Sequence, residues 1–205
     1  MQKALAQAFS YLFHPLWMPL LVFLVADYLD PNLVPIPELK RFIIICLAVN
    51  IVAPAIGVFI MMKRGSISDV NIHKQSERSA PYVLVIFYYL CTYFIFRSND
   101  LPLSSSFMSM LLAVPVSLGL ALLINFKWKI SVHMLAQGGL AGVLWALGLV
   151  HSAPIIWALI GALIIAGFVG FSRSKLRAHT HAQIYAGFLL GLAVNFIIIR
   201  FGLVL

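Results

Sequence analysis

Charge is scarce in this 205-residue chain: 14 Lys and Arg and 6 Asp and Glu make up 10% of it. A soluble domain carries about a quarter charged residues, so a water-soluble globule and a charge-rich disordered chain are both excluded. Cysteine is nearly absent too. Cys46 and Cys91 both sit inside apolar runs and read as small buried hydrophobes, so no disulfide is inferred. Alternating polar and apolar strands are missing, which argues against a β-barrel. There is no polar tail, internal repeat or low-complexity tract, and no loop is long enough for a second domain. What remains is apolar: 62% of the residues are hydrophobic, and the mean hydropathy is +1.02. The chain reads as one all-α integral membrane domain over residues 1–205.

Seven apolar stretches can be marked, at 11–29, 42–62, 81–96, 106–126, 132–150, 153–171 and 181–204. Most approach the roughly 20 residues that carry a helix across about 30 Å of hydrocarbon. The third is short and Pro15 and Pro19 interrupt the first, so the expectation is a bundle of six or seven spans. The first stretch lacks a small-residue cleavage site and reads as a retained span.

Net charge of +8 in a soluble protein would suggest a nucleic-acid partner. Here its location matters more. If all seven stretches span, the N-terminus and segments 63–80, 127–131 and 172–180 share one face. That face carries ten Lys and Arg against Asp69 and Glu77, while the opposite face balances four against four. The whole excess sits on one face, and no nucleic-acid partner is expected. The positive-inside rule places that face in the cytoplasm.

Three polar segments on the charged face hold most of the reactive side chains. The first is HKQSERSAPY, from His73 to Tyr82, where Lys74 and Arg78 at i,i+4 would point the same way on a helix. The second, KWKISVHM, puts Ser131 and His133 at the start of a span; the third, SRSKLRAHTHAQIYAG, runs from Ser172 and Arg173 to His179, His181 and Gln183. These are ingredients for handling phosphate. Arg offers a planar fork for phosphate oxygens, a helix N-terminus adds free N–H groups, and two histidines can divide attack and protonation between them. No cysteines or clustered carboxylates accompany the histidines, so neither a metal site nor a cofactor is expected. Basic residues at span ends also snorkel to headgroups, which is the plainer account of Lys63, Arg64, Lys127 and Lys129.

Over residues 74–191 these segments resemble the type 2 phosphatidic acid phosphatase superfamily, whose signature is K-x6-R-P, P-S-G-H and S-R-x5-H-x3-D. Ser172-Arg173, five residues, His179 and three residues reproduce the third part up to Gln183, where the family has Asp. Ile130-Ser131-Val132-His133 keeps Ser and His of the second. In the first, Lys74 is followed by Arg78 and Pro81 at altered spacing. The resemblance implies a metal-independent lipid phosphatase with a phospho-histidine intermediate. His179 would be the nucleophile, His133 the general acid, and Gln183 the partner of the attacking imidazole. Arg173, Lys74, Arg78, Ser131 and Ser172 would hold phosphate oxygens. The family's lipid phosphatases mostly face outside the cytoplasm, against the charge rule. Glu77 would either replace the missing carboxylate or simply pair with its basic neighbours.

His179, Gln183, Gly187, Gly191 and Asn195 recur every four residues, and Gly138 and Gly142 form a second G-x-x-x-G. Such stripes let membrane helices approach closely and would bring His133 and His179 to one ligand. Two functions are therefore weighed. One is a phosphatase or phosphotransferase acting on a lipid phosphomonoester or diphosphate. The other is a non-catalytic relative that binds or moves anionic lipids. A channel or transporter has little support, because the spans carry few charges.

Overall fold

The computed structural model describes residues 2–69, 72, 74–98, 101, 103–151 and 155–204. His73, in the first polar segment, lies outside them. Among the described residues every regular element is helical: α1 (Gln2–Leu12), α2 (Met18–Leu29), α3 (Ile36–Ile45), α4 (Ala53–Lys63), α5 (Ser79–Arg97), α6 (Ser105–Asn125), α7 (Val132–Val150), α8 (Ile156–Lys175) and α9 (His181–Arg200). A π-helical stretch, Cys46–Val52, joins α3 to α4, so that Ile36–Lys63 forms one 28-residue span. Pro54 accounts for the widening: it has no N–H to give the carbonyl of Asn50, and its ring crowds that carbonyl.

Among the described residues six helices are long and apolar enough to cross a membrane, and Met18–Leu29 is a shorter apolar helix. The first apolar stretch is thus two helices. Its break at Phe13–Trp17 follows from Pro15, which disfavours helical backbone at His14 before it. The segment beyond the break nevertheless keeps pace with α7 along its whole length. His14 meets the His133 ring at 5.3 Å, Gln137 donates to the Met18 sulfur at 3.6 Å, and Asp30 lies 2.9 Å from His151 Nδ1. The Ser106 hydroxyl meets the other nitrogen of His151 at 2.7 Å. That half-buried clasp ties the ends of α2, α6 and α7 at the face opposite the basic one.

α7 and α9 form the centre, packed through their glycines. A Cβ on Gly187 would stand 2.5 Å from the Ser131 carbonyl oxygen, and one on Gly191 would overlap that of Leu135. Gly138 and Gly142 meet the backbone of Phe188 and Leu192 in the same way. The expected close approach of the two stripes is therefore present. Large apolar side chains such as Leu123, Ile164, Phe171 and Tyr185 face outward, as a bundle surrounded by lipid tails requires.

Candidate functional site: a basic, histidine-lined cavity

The connections at one end of the bundle are fastened to each other. Arg78 donates to the Ile130 carbonyl at 3.1 Å, Lys129 to that of Ala178 at 3.0 Å, and Gln75 to that of Asn125 at 2.6 Å. Ser10 at the end of α1 joins them, accepting from Arg173 Nη1 at 3.4 Å and from His133 Nε2 at 3.2 Å. The basic segments and the N-terminal helix thus lie together, as the charge map requires.

Between them opens a cavity of about 580 Å³ whose mouth is lined by His14, Arg78, His133, Arg173 and His179. Deeper in, Val22, Phe23, Val85, Met110, Val114 and Val143 make the walls apolar. From His133 to Val143 along α7 is roughly 15 Å of helix, about half the hydrocarbon thickness of a bilayer.

The placement of Arg173 and His179 follows from how α8 ends. Ser172 and Arg173 belong to its last turns rather than to the loop. Arg177 then takes a left-handed conformation, φ 53°. The amides of Arg177 and Ala178 bond back to the carbonyls of Ser174 and Arg173 at 2.9 and 3.0 Å. This is a Schellman turn with Arg177 where glycine is usual, and it fixes the five-residue interval between Arg173 and His179. α9 then starts from a capping box in which Thr180 accepts from the Gln183 amide and the Gln183 side chain from that of Thr180.

The Gln183 oxygen has a second donor, His179 Nδ1 at 3.1 Å. Because that oxygen also accepts the Thr180 N–H at 3.2 Å, it can only be the acceptor, so the His179 proton is on Nδ1 and Nε2 keeps a lone pair. Burial, with Arg78 and Arg173 nearby, pushes the His179 pKa down to about 3, and the imidazole is neutral at ordinary pH. His133 has the opposite tautomer: the Ser10 carbonyl takes its Nε2–H, leaving Nδ1 available. Burial first, then the Arg78 and Arg173 guanidiniums, also hold the Lys129 amine below its usual value.

Arg173 is the most telling side chain. It is 6% exposed, and among the described residues no carboxylate pairs with it and its Nε has no hydrogen-bond partner. A buried guanidinium with spare donors is costly unless an anion meets it.

Three expected phosphate ligands do not line the cavity. Lys74 is exposed and paired with Glu77 at 3.0 Å; Glu77 also accepts from Ser68, so it acts as a local charge partner rather than as the missing carboxylate. Ser131 caps α7, accepting from the Met134 amide at 3.5 Å, and Ser172 donates to the Phe168 carbonyl at 2.8 Å. Both hydroxyls are engaged with helix backbone, Ser131 as acceptor and Ser172 as donor, as Ser at helix ends commonly is. In the other direction, sequence reading passed over Ser10 and His14. The signal for His14 was its Pro15 neighbour, which marks a helix break where a side chain can turn inward. No family model, curated protein or solved structure matches the chain.

Among the described residues no three His, Cys, Asp or Glu side chains converge to hold a metal ion. The mouth instead joins guanidiniums to imidazoles, a donor set suited to an oxyanion.

Proposed function

We propose that the protein is a membrane phosphatase or phosphotransferase acting on a lipid phosphomonoester or diphosphate, with a phospho-histidine intermediate on His179. The observation that carries this reading is Arg173, buried with unused donors beside the neutral His179 at the mouth of a cavity that continues as an apolar sleeve. The mouth suits a phosphate and the sleeve suits its hydrocarbon tail. The segments that resemble the type 2 phosphatidic acid phosphatase superfamily supply Arg78, His133, Arg173 and His179 to that mouth, which supports the same reading.

In this mechanism Arg78 and Arg173 hold the non-bridging oxygens. The Nε2 lone pair of His179 attacks phosphorus while the P–O bond to the lipid breaks. The departing oxygen takes a proton from Nδ1 of His133, which gains that proton once the anionic phosphate has entered, while its Nε2–H stays on the Ser10 carbonyl. Water then attacks the phosphoryl group, gives its proton back to His133, and the P–N bond breaks to release inorganic phosphate. A lipid alcohol in place of that water gives phosphotransfer.

The test is release of phosphate from lipid phosphates by purified protein without added metal, compared with His179→Ala. Activity in the wild type and none in the variant supports the reading; equal release removes His179 as nucleophile. Gln183, a neutral partner where the family has an acid, favours a second reading as an anionic-lipid binder without turnover. That reading expects Arg173-dependent lipid-phosphate binding and no phosphoenzyme on rapid quench.

A further inference from the structure

The N-terminal segment makes contacts with the site that the basic segments do not explain. Ser10 fastens two of the mouth residues at once, its carbonyl to His133 and its hydroxyl to Arg173. Four residues on, in the break between α1 and α2, His14 lines the same mouth. Its ring stands edge-on to that of His133 at 5.3 Å, with 81° between the planes.

The proton on His14 can be placed. Nδ1 accepts the backbone N–H of Leu16 at 3.2 Å, so it holds a lone pair and the proton is on Nε2. Among the described residues no acceptor meets that Nε2–H. Protonating Nδ1 would set one N–H against another, and burial followed by the Arg173 charge pushes the pKa of His14 down to about 4. The charged and titratable groups around it are Arg173 and His133, neither of which favours a further cation.

We propose that His14 is a third anion-binding histidine of this site, held as the neutral Nε2–H tautomer so that it donates a hydrogen bond to a phosphate oxygen, with Ser10 as the positioning residue for His133 and Arg173. The ligand is a phosphate monoester or inorganic phosphate, and its lipid form rests on the proposed function. A neutral imidazole adds a donor to an already cationic site without offering a proton to the bound oxyanion. It polarises the phosphoryl group as an uncharged electrophile. With Nδ1 taken up by the Leu16 N–H, His14 has no free nitrogen to load with a proton, whereas Nδ1 of His133 is free, and this separates their roles.

The experiment compares His14→Ala and His14→Gln with the wild type in detergent, with thermal unfolding as the check on folding. Binding of inorganic phosphate and of a lipid phosphate in vesicles is measured beside turnover of an alkyl and a p-nitrophenyl phosphate. His14→Ala is expected to weaken phosphate binding roughly 10- to 100-fold, the range for one hydrogen bond to a charged group. The loss in kcat/KM is expected to be the same for the two leaving groups. His14→Gln, which keeps an N–H donor, is expected to recover most of the binding. Ser10→Ala is expected to raise KM with kcat little changed.

The proposal is overturned by unchanged phosphate binding in a folded His14→Ala protein. It is also overturned by a loss confined to the alkyl substrate, or by an imidazolium signature for His14 in the 15N spectrum of the phosphate complex. If the wild type binds inorganic phosphate through His14 but hydrolyses nothing, the enzymatic reading fails and this one stands. If hydrolysis and binding survive His14→Ala, the reverse holds.

Discussion

The contact between α9 and α7 at Gly187 sets how closely the two histidine-bearing segments approach. An alanine there puts Cβ 2.5 Å from the Ser131 carbonyl oxygen and 3.3 Å from Met134 Cβ, where ordinary contact begins at 3.4 Å, so the helices must part by about 0.9 Å. Gly187 is one helical turn beyond Gln183, whose carbonyl accepts the Ser131 N–H at 3.3 Å. That cross-helix bond lengthens past a useful hydrogen bond when the helices separate. Forcing atoms into a packed contact costs about 1–3 kcal/mol, while alanine regains about 1 kcal/mol of helix propensity. Gly167→Ala is the matched control, since its Cβ meets nothing within 4 Å and it gains propensity alone. Gly187→Ala is therefore expected to be less stable than Gly167→Ala by the overpacking term, about 1–3 kcal/mol, read as the difference in thermal unfolding in one detergent. A misplacement near 1 Å between reacting groups costs on the order of 100-fold in rate, so phosphate release by Gly187→Ala should fall by that order while Gly167→Ala stays at wild-type level. Equal unfolding temperatures in the two variants would refute the packing argument, whatever the activity.

Other expectations follow from single side chains. Gln183→Glu keeps the length and both acceptor contacts but adds a charge, so the His179 pKa must rise from about 3. The acid limb of kcat/KM should move to higher pH, and an unmoved limb would show that Gln183 does not face the titrating imidazole. Arg173→Ala should abolish phosphate binding while leaving the fold intact, checked by calorimetric titration; binding as in the wild type would remove the main support for an anion site. His14 and His179 are both held below their ordinary value of 6.5, at about 4 and about 3. The unfolded chain therefore binds more protons between pH 6.5 and 3, and stability is lost as pH falls through that window. The unfolding temperature should drop on acidification, less so with phosphate present; a flat profile would contradict the burial of these imidazoles. Arg177→Gly should stabilise the turn after α8 by about 1 kcal/mol, because a left-handed backbone is strained for any residue with a Cβ.

The helices and the clustering of basic segments were legible because both rest on short-range rules. Long apolar runs have few alternatives to helix in a bilayer, and G-x-x-x-G at Gly138 and at Gly187 marks a close crossing irrespective of partner. The Arg173–His179 interval was legible as a spacing, though the Schellman turn that makes it, with Arg177 left-handed, carries no glycine to announce it. Lys74, Ser131 and Ser172 find partners away from the cavity for one reason. A polar residue near a helix end has nearby backbone and charges to satisfy, and residue type alone does not say which it chooses. Ser10 and His14 were hidden for the opposite reason: Pro15 marks a break at His14, but both residues reach the site only through the fold of α1 against α8, with Phe9 stacked on Phe168 at 5.3 Å. Nothing local to positions 10 or 14 encodes a contact with residues 133 and 173.

Both catalytic imidazoles of the proposed mechanism are oriented by neutral oxygens, Gln183 Oε1 for His179 and the Ser10 carbonyl for His133. A carboxylate in either place would stabilise imidazolium and would also offset the guanidiniums of Arg78 and Arg173. An amide keeps the orientation and adds no negative charge, so burial and then the guanidiniums depress the pKa of His179 and let it present a lone pair over a wide pH range. The positive field has a cost, because Arg173 is a buried cation whose Nε meets no acceptor among the described residues. A doubly charged phosphate removes that cost more fully than a singly charged diester. The proposed reaction is therefore expected to favour phosphomonoesters and terminal diphosphates, and the preference should narrow in Gln183→Glu, where the added carboxylate repels the second negative charge.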